Sequence, residues 1–83
     1  MQRIRYFAAA KAALGVGEEI REAAGLTIGE FLAERAAEAP DAPAAAAVLA
    51  RCSFILNRAA TTDRATRLAD GDSLDVLPPF AGG

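Results

Sequence analysis

The sequence predicts a single α+β domain, a roll in which a mixed sheet of four or five strands packs on one main helix. With 83 residues the chain is long enough for one domain and too short for two. Segments in which apolar residues alternate lie near both ends, and a segment with helical spacing lies between them. If the first and last strands are parallel neighbours, this central helix supplies the crossover that the pairing requires.

The first element is a strand over residues 2–8, in which Ile4 and Tyr6 alternate with arginines. Phe7 falls on the arginine face, so an aromatic side chain is expected on the side of the sheet that faces away from the core. The residues after this strand have high helix propensity, and they predict a short helix or turn that stops at Gly15.

Residues 18–23 are predicted to form a second strand, paired with the first, although their glutamates are more typical of a helix. The clearest helix follows, because Thr27 is a favourable N-cap and Glu30 lies at the capping-box spacing. Apolar residues recur on one face of this helix until Pro40 ends it. A short alanine-rich helix is then predicted over residues 44–50.

Three strands are predicted in the C-terminal third. Residues 53–57 have the composition of a strand, Asn57-Arg58 is typical of a turn, and residues 59–62 form a weak returning strand. Asp70-Gly71 is a strong turn signal before the last strand, residues 73–77, in which apolar residues alternate again.

Composition argues against several function classes. Histidine is absent, so His-based triads and ordinary His metal sites are excluded and no metal site is expected. Cys52 is the only cysteine, which rules out an internal disulfide and fits a reducing compartment such as the cytoplasm. The formal net charge is −2 without a basic block, and the longest apolar run, residues 44–50, is far shorter than a membrane span. Neither nucleic acid nor membrane is an expected partner, and the N-terminus is interpreted as mature sequence.

The chemistry-bearing feature of the sequence follows the last strand directly, as Pro78-Pro79-Phe80-Ala81-Gly82-Gly83. The two prolines favour a stiff extended segment, and the glycines lack Cβ atoms, so a thin chain end can present its α-carboxylate to another protein. We therefore divide the chain into a folded domain, residues 1–78, and a flexible tail, residues 79–83. The alternative is that Gly-Gly is a frayed terminus without function.

The stretch LADGDSLDVLPPFAGG resembles the C-terminus of the small, sulfur-carrying subunit of molybdopterin synthase, a ubiquitin-like sulfur carrier of the MoaD/ThiS type. The segments IRYFAAAKAALG, LTIGEFLAE and SFILN lie where that family has counterparts, so the resemblance covers essentially the whole chain. It implies the β-grasp fold, which agrees with the element order above.

The resemblance also implies a chemistry at Gly83. An E1-like adenylyltransferase would use ATP to adenylate its carboxylate, and a sulfur donor such as a cysteine desulfurase or a rhodanese would convert it to a thiocarboxylate. The tail would then deliver sulfur to cyclic pyranopterin monophosphate in the large subunit of molybdopterin synthase. The implied assembly is a cytoplasmic heterotetramer, in which the chain is no enzyme on its own and binds no cofactor.

A partner-binding surface is implied as well. Phe7, Ala60 and Leu77 match an apolar docking patch beside the tail, although Ala60 is smaller than the residue expected there. The alternative places Phe7 and Leu77 under a loop in a small satellite cluster. The expected partner-binding residues are Phe7, Ala60, Leu77, Pro78, Pro79, Phe80, Ala81 and Gly82.

Other polar residues have simpler interpretations. Cys52 is expected to be a semi-buried structural thiol. The glutamates Glu18, Glu19 and Glu22 are expected on a solvated face, and Asp70, Asp72 and Asp75 in a turn rather than a calcium loop. A mildly basic patch that steers an acidic partner, or that simply balances surface charge, is predicted from Arg3, Arg5, Arg58, Arg64 and Arg67.

Two competing functions remain open. A sulfur carrier for thiamine thiazole or cysteine synthesis would share the fold, the tail and the activation chemistry. A ubiquitin-like adaptor that binds without covalent chemistry would tolerate extra residues after Gly83, whereas a carrier would not.

Overall fold

The alternating segments at the two ends of the sequence form the centre of one mixed sheet. The computed structural model describes residues 1–79, and within them it contains five strands and three helices. In chain order these are β1 (Gln2–Tyr6), α1 (Ala8–Leu14), β2 (Glu18–Arg21), α2 (Ile28–Glu38), α3 (Ala42–Leu49), β3 (Ser53–Leu56), β4 (Ala59–Thr61) and β5 (Ser73–Leu77).

The strand order is β2-β1-β5-β3-β4. Strands β1 and β5 are parallel neighbours, with Tyr6 opposite Val76, and every other pairing in this sheet is antiparallel. The parallel centre that the element order allows is therefore present, and helices α2 and α3 lie in the connection that this pairing requires. No helix within the described range has the length and apolarity needed to cross a membrane.

One face of the sheet, called the inner face below, packs against the helices. Its side chains from the three central strands are almost completely buried, and so is the apolar stripe of α2. These residues form one continuous core, as predicted from their spacing. The inner-face core residues of β1, β3 and β5 are Ile4, Tyr6, Phe54, Leu74 and Val76; the apolar stripe of α2 consists of Ile28, Phe31, Leu32 and Ala36.

Helix α2 begins as the sequence predicts. The Glu30 N–H donates to Thr27 Oγ1 at 3.0 Å, and the Thr27 N–H donates to Glu30 Oε1 at 2.8 Å, which completes the capping box. Helix α1 ends at Gly15, whose φ of 76° lies in the left-handed region that favours glycine.

Strand boundaries differ from the prediction at both strands of the first hairpin. β1 ends at Tyr6 rather than residue 8, because Phe7 is the N-cap of α1 and Ala8 has a φ of 49°. β2 ends at Arg21, and beyond it the Ala23 N–H donates to the side chain of Gln2 rather than to a strand backbone. The start of α1 therefore shortens β1, and a side chain of β1 takes the backbone donor that follows β2.

Candidate functional site

The face of the sheet that points away from the helices, called the outer face below, carries Phe7, Ala60 and Leu77, three of the predicted partner-binding residues. At the end of β5 it contains an apolar groove of about 400 Å³, which we call the Phe7 groove. Its walls come from the start of α1, from β3 and from the residues that leave β5. The lining residues are Phe7, Ala8, Ala9, Ser53, Leu77, Pro78 and Pro79.

A second, shallower groove of about 570 Å³ lies beside it, over strands β3 and β4. We call it the Leu77 groove. Leu77 and Ser53 line this groove and also the Phe7 groove. Ala60 lies opposite Ile55 in the β3–β4 ladder and also lines the Leu77 groove. The structure thus brings Phe7, Leu77 and Ala60 onto one continuous surface, although they lie far apart in the sequence.

Phe7 is exposed because of the turn between β1 and α1. Its N–H donates to the Val76 carbonyl at 3.2 Å, which continues the parallel pairing by one residue, and its backbone then becomes the N-cap of α1. The ring is 37% exposed, lies outside the core cluster and has the Arg5 guanidinium 5.6 Å from its centroid. A large apolar side chain left in this position is typical of a binding surface.

The residues that leave the sheet extend this surface. Pro78 is half-buried and Pro79 is exposed, and both line the Phe7 groove. The remaining predicted site residues, Phe80, Ala81, Gly82 and Gly83, lie outside the described residues.

The predicted patch of five arginines is wrong for two of its members. The Arg64 Nη2 donates to the Leu49 carbonyl at 2.6 Å, and its guanidinium lies 5.0 Å from the centroid of the Phe54 ring. Arg67 donates to the Gly25 carbonyl at 2.6 Å, away from the sheet face. Both arginines serve the connection between β4 and β5 by satisfying backbone carbonyls.

The other three arginines do share one site. They line a groove of about 440 Å³ on the outer face, which we call the basic groove. In it, Arg5 makes a two-point ion pair with Asp75, with both distances at 2.8 Å. The hydrogen bond and the charge of Asp75 raise the pKa of Arg5 above its usual range. The lining residues are Arg3, Arg5, Ile55, Asn57, Arg58, Ser73 and Asp75.

The prediction that the glutamates of β2 are solvated is wrong for Glu19. Its carboxylate accepts hydrogen bonds from the Tyr6 hydroxyl at 2.6 Å, from Arg35 Nε at 2.7 Å and from Arg21 Nε at 3.0 Å. Arg35 is itself buried, with its side chain 8% exposed, and it also donates to Glu38 at 2.6 Å. Glu19 therefore ties β2 to β1 and α2.

Sequence reasoning missed this polar cluster. Arg35 lies four residues after Phe31 and seven after Ile28, so it occupies the buried stripe of α2. A charged residue in that position signals a buried ion pair, because a charge on the core side requires a partner. Glu19, on the same sheet face as Tyr6, supplies it.

The electrostatics of the cluster follow from burial and hydrogen bonding. Burial, together with the hydrogen bond to Glu19, raises the pKa of Tyr6. Burial acts to raise the pKa of Glu19 as well, but the hydrogen bonds from Tyr6, Arg35 and Arg21 outweigh it, so its pKa is lowered. A raised pKa on one residue and a lowered pKa on its partner occur in structural ion pairs as well as in active sites. The cluster connects three elements under the sheet and opens into none of the three grooves, so we assign it to stability.

The interpretation of Cys52 as a structural thiol is confirmed, whereas the turn predicted for the three aspartates is wrong for Asp75, which lies in β5. Cys52 is buried, its pKa is raised by burial, and its Sγ donates weakly to the Val48 carbonyl at 3.4 Å. The three aspartates have separate tasks. Asp70 pairs with the N-terminal amino group, Asp72 accepts from the Ala69 N–H, and Asp75 pairs with Arg5. Within residues 1–79 no group of three or more possible ligand side chains is arranged to hold a metal ion.

Comparison with known proteins agrees with this architecture. A family model described as "ThiS family" matches residues 4–83. The solution structure of the HVO 2177 protein of Haloferax volcanii is 26% identical, with a TM-score of 0.71, over 99% of this chain and 85% of that one. No match was found among curated proteins.

Two further structures show the same fold. SAMP1 of Haloferax volcanii is 21% identical, with a TM-score of 0.67, over 99% of this chain and 98% of that one. A chain from the complex of subunits 1 and 2 of the molybdopterin-converting factor of Helicobacter pylori is 24% identical, with a TM-score of 0.62. That match covers 99% of this chain and 97% of the other. The predicted β-grasp fold is confirmed.

Proposed function

Because this chain belongs to the ThiS family and is a ubiquitin-like sulfur carrier of the ThiS/MoaD type, we propose that it carries sulfur on Gly83 for molybdopterin synthesis. The observation that carries this proposal is the span of the family match. It begins at Ile4, includes the rest of the folded domain and runs through the glycine pair to Gly83. The chemistry of such a chain lies at a carboxylate that another protein must activate.

The proposed reaction begins with that activation. A carboxylate is a poor electrophile, so an E1-like adenylyltransferase joins the Gly83 carboxylate to the AMP portion of ATP and releases pyrophosphate. A sulfur donor, either a cysteine desulfurase or a rhodanese, then supplies a persulfide whose terminal sulfur displaces AMP and forms an acyl disulfide. A thiol reduces the S–S bond of this intermediate, which releases the thiocarboxylate and leaves a disulfide. The chain contributes an unhindered glycine and binds no cofactor, because the activating partner holds the ATP.

The outer face supports the docking part of the proposal. The Phe7 groove lies where the chain leaves β5, and Leu77, Pro78 and Pro79 line it. A partner that covers this groove therefore also lies next to the segment that leads to Gly83. We propose the large subunit of molybdopterin synthase as that partner, in a heterotetramer in the cytoplasm. The complex of subunits 1 and 2 of the molybdopterin-converting factor from Helicobacter pylori supports a two-subunit assembly of this kind.

The test of carrier chemistry is the intact mass of the chain after incubation with the activating enzyme, ATP and a sulfide source. We expect a gain equal to the exchange of one oxygen for one sulfur, mapped to Gly83. A matched chain with one alanine added after Gly83 should fold and keep its mass. An unchanged mass for the unmodified chain, with the enzymes active on another carrier, would favour a non-covalent adaptor instead.

The acceptor is tested in a second step. The thiocarboxylated chain is mixed with the large subunit of molybdopterin synthase and cyclic pyranopterin monophosphate, and the dithiolene product is measured. Product formation with loss of the added sulfur mass supports the proposal. Sulfur transfer in a thiazole-forming system, without transfer to the pterin, would contradict it.

A carrier for thiamine thiazole synthesis is the second candidate. It is favoured by the family model itself, whose description is ThiS. The same fold, groove and glycine end would serve it, and only the acceptor would differ. Carriage of sulfur for cysteine synthesis is tested by the same exchange of acceptors.

A further inference from the structure

The basic groove has a charge that differs from that of the chain as a whole. Arg3, Arg5 and Arg58 line it together with one acid, Asp75, and Glu18 pairs with Arg3, so the three arginines exceed these two acids by one charge. The complete sequence has a formal net charge of −2. A positive depression on an acidic protein concentrates its attraction for anionic groups in one place.

The arginines of the groove are held in position but still have donors to offer. Arg5 uses Nε and Nη2 to bind Asp75, which leaves Nη1 and the second proton of Nη2 for another acceptor. Arg3 pairs with Glu18 through Nε, and its side chain is about half exposed. Arg58 is exposed, and it lines the groove from the β3–β4 turn.

The groove offers side-chain donors rather than the backbone donors of a typical phosphate site. Phosphate sites commonly rely on backbone N–H groups at a loop or a helix N-terminus. Here the groove lies over β5, a strand paired with β1 on one side and β3 on the other, so its backbone groups belong to the sheet ladders. Recognition must come from side chains, and arginine pairs well with planar carboxylates.

The groove also continues into the apolar surface. Ile55 lines both the basic groove and the Leu77 groove, so one extended segment can lie across the two. A protein segment fits this mixture of apolar contact and spaced charge better than a small anion does. We propose that the basic groove binds an acidic segment of a partner protein, whose carboxylates pair with Arg3, Arg5 and Arg58. This proposal goes beyond the carrier function and is independent of the chemistry at Gly83.

The experiment is a titration of the full-length ¹⁵N-labelled chain with a short, capped oligoglutamate peptide, followed by NMR. Oligoglutamine is the neutral control, and inorganic phosphate is the competing anion. We expect saturable shifts of the Nε–H signals of Arg3 and Arg5 and of the amides around Arg58. Oligoglutamine should leave them unmoved. Added salt should weaken the binding, because exposed charges are screened.

Two variants with opposite expected effects on peptide binding sharpen the test. Arg58→Gln removes one positive charge and should weaken peptide binding by about two- to fivefold, the size expected of exposed ion pairs. Asp75→Asn removes the competing acid and should strengthen binding by a similar factor. Arg51→Gln, in an exposed position outside the groove, is the matched control and should change nothing.

The outcomes separate cleanly. Equal losses from Arg58→Gln and Arg51→Gln, or shifts spread over all exposed arginines, would overturn the proposal in favour of unspecific attraction. Tighter binding of phosphate than of the peptide at the same signals would overturn it in favour of a small-anion site. If Asp75→Asn fails to fold, the comparison between Arg58→Gln and Arg51→Gln still decides the result.

Discussion

The two faces of the sheet use neighbouring aromatic residues for opposite purposes. Tyr6 on the inner face is 1% exposed, and its hydroxyl is bound to Glu19. Phe7, the next residue, reaches the outer face, where it is 37% exposed and lines an apolar groove. The inner face is complete in itself, with its polar groups paired. The outer face exposes apolar area and charge that another molecule can cover. Two adjacent residues thus belong to different surfaces, one that stabilises the fold and one that can bind a partner.

The largest expected difference in the free energy of unfolding, between a substitution on the inner face and one on the outer face, is at β3. There Phe54 faces the core and Ile55 faces outward. Phe54→Ala should lower the free energy of unfolding by about 3–5 kcal/mol, because it empties a fully buried site and removes the surface on which Arg64 lies. Ile55→Ala should cost about 1 kcal/mol or less. Urea unfolding of the two variants measures both values, and equal losses would contradict the division into two faces.

The next effect concerns the polar cluster of the inner face. Glu19→Gln should lower the free energy of unfolding at neutral pH by about 2 kcal/mol, because the buried guanidinium of Arg35 loses one of its two charged partners and keeps only the more exposed Glu38. Glu34→Gln is the control, because Glu34 is exposed on α2, the helix that contains Arg35. It should change the free energy of unfolding by less than about 0.5 kcal/mol.

The pH dependence of this variant gives a second readout. The pKa of Glu19 is lowered in the folded chain from an ordinary value of 4.5. Its contribution to stability is therefore complete above about pH 4.5 and is lost as the pH falls through the folded pKa. The unmodified chain should lose stability on acidification more steeply than Glu19→Gln. Parallel curves would mean that Glu19 does not stabilise the fold through its charge.

A smaller effect on stability, but a large effect on binding, is expected at Phe7. Phe7→Asp should leave the free energy of unfolding within about 1 kcal/mol, because aspartate is a favourable N-cap and Phe7 supplies no side-chain cap to α1. Binding to the large subunit of molybdopterin synthase should weaken about tenfold, the loss typical of an apolar anchor in an interface.

The matched control for Phe7 is Ile20→Asp, an exposed apolar residue on the outer face of β2, away from both apolar grooves. It should leave partner binding unchanged. Calorimetry of the two variants against the same partner, with thermal unfolding of each, tests the difference. An unfolded Phe7→Asp chain would assign Phe7 to the core, and equal binding losses would remove the special role of the Phe7 groove.

The smallest expected effect on stability comes from the glycine pair. Deleting Gly82-Gly83 should barely change the melting temperature, because glycines have no side chain to bury and the core cluster of residues 1–79 is already continuous from Ile4 to Val76. The same deletion should abolish the mass gain on activation. Thermal unfolding and intact mass together check this prediction, and a large drop in melting temperature would contradict it.

Local patterns predicted most of the elements because the relevant forces are local. The capping box of Thr27 and Glu30, the stop at Gly15 and the turn at Asn57-Arg58 each depend on neighbouring residues. The end of β1 was not predictable from alternation, since Phe7 leaves the strand to cap α1. The prediction that Glu19 lies on a solvated face was also wrong. Its partner Arg35 comes from another element, and a glutamate in a polar strand gives no local sign of it.

By itself, the sequence determined the fold class, the order of helices and strands along the chain, and the glycine end on which the proposed chemistry depends. Only the tertiary structure brought Phe7, Ala60 and Leu77 onto one face, and only it separated three groove arginines from two that support a loop. The physical reason is the parallel pairing of β1 with β5. It joins residues 70 apart, such as Arg5 and Asp75, through a crossover whose register no local pattern encodes.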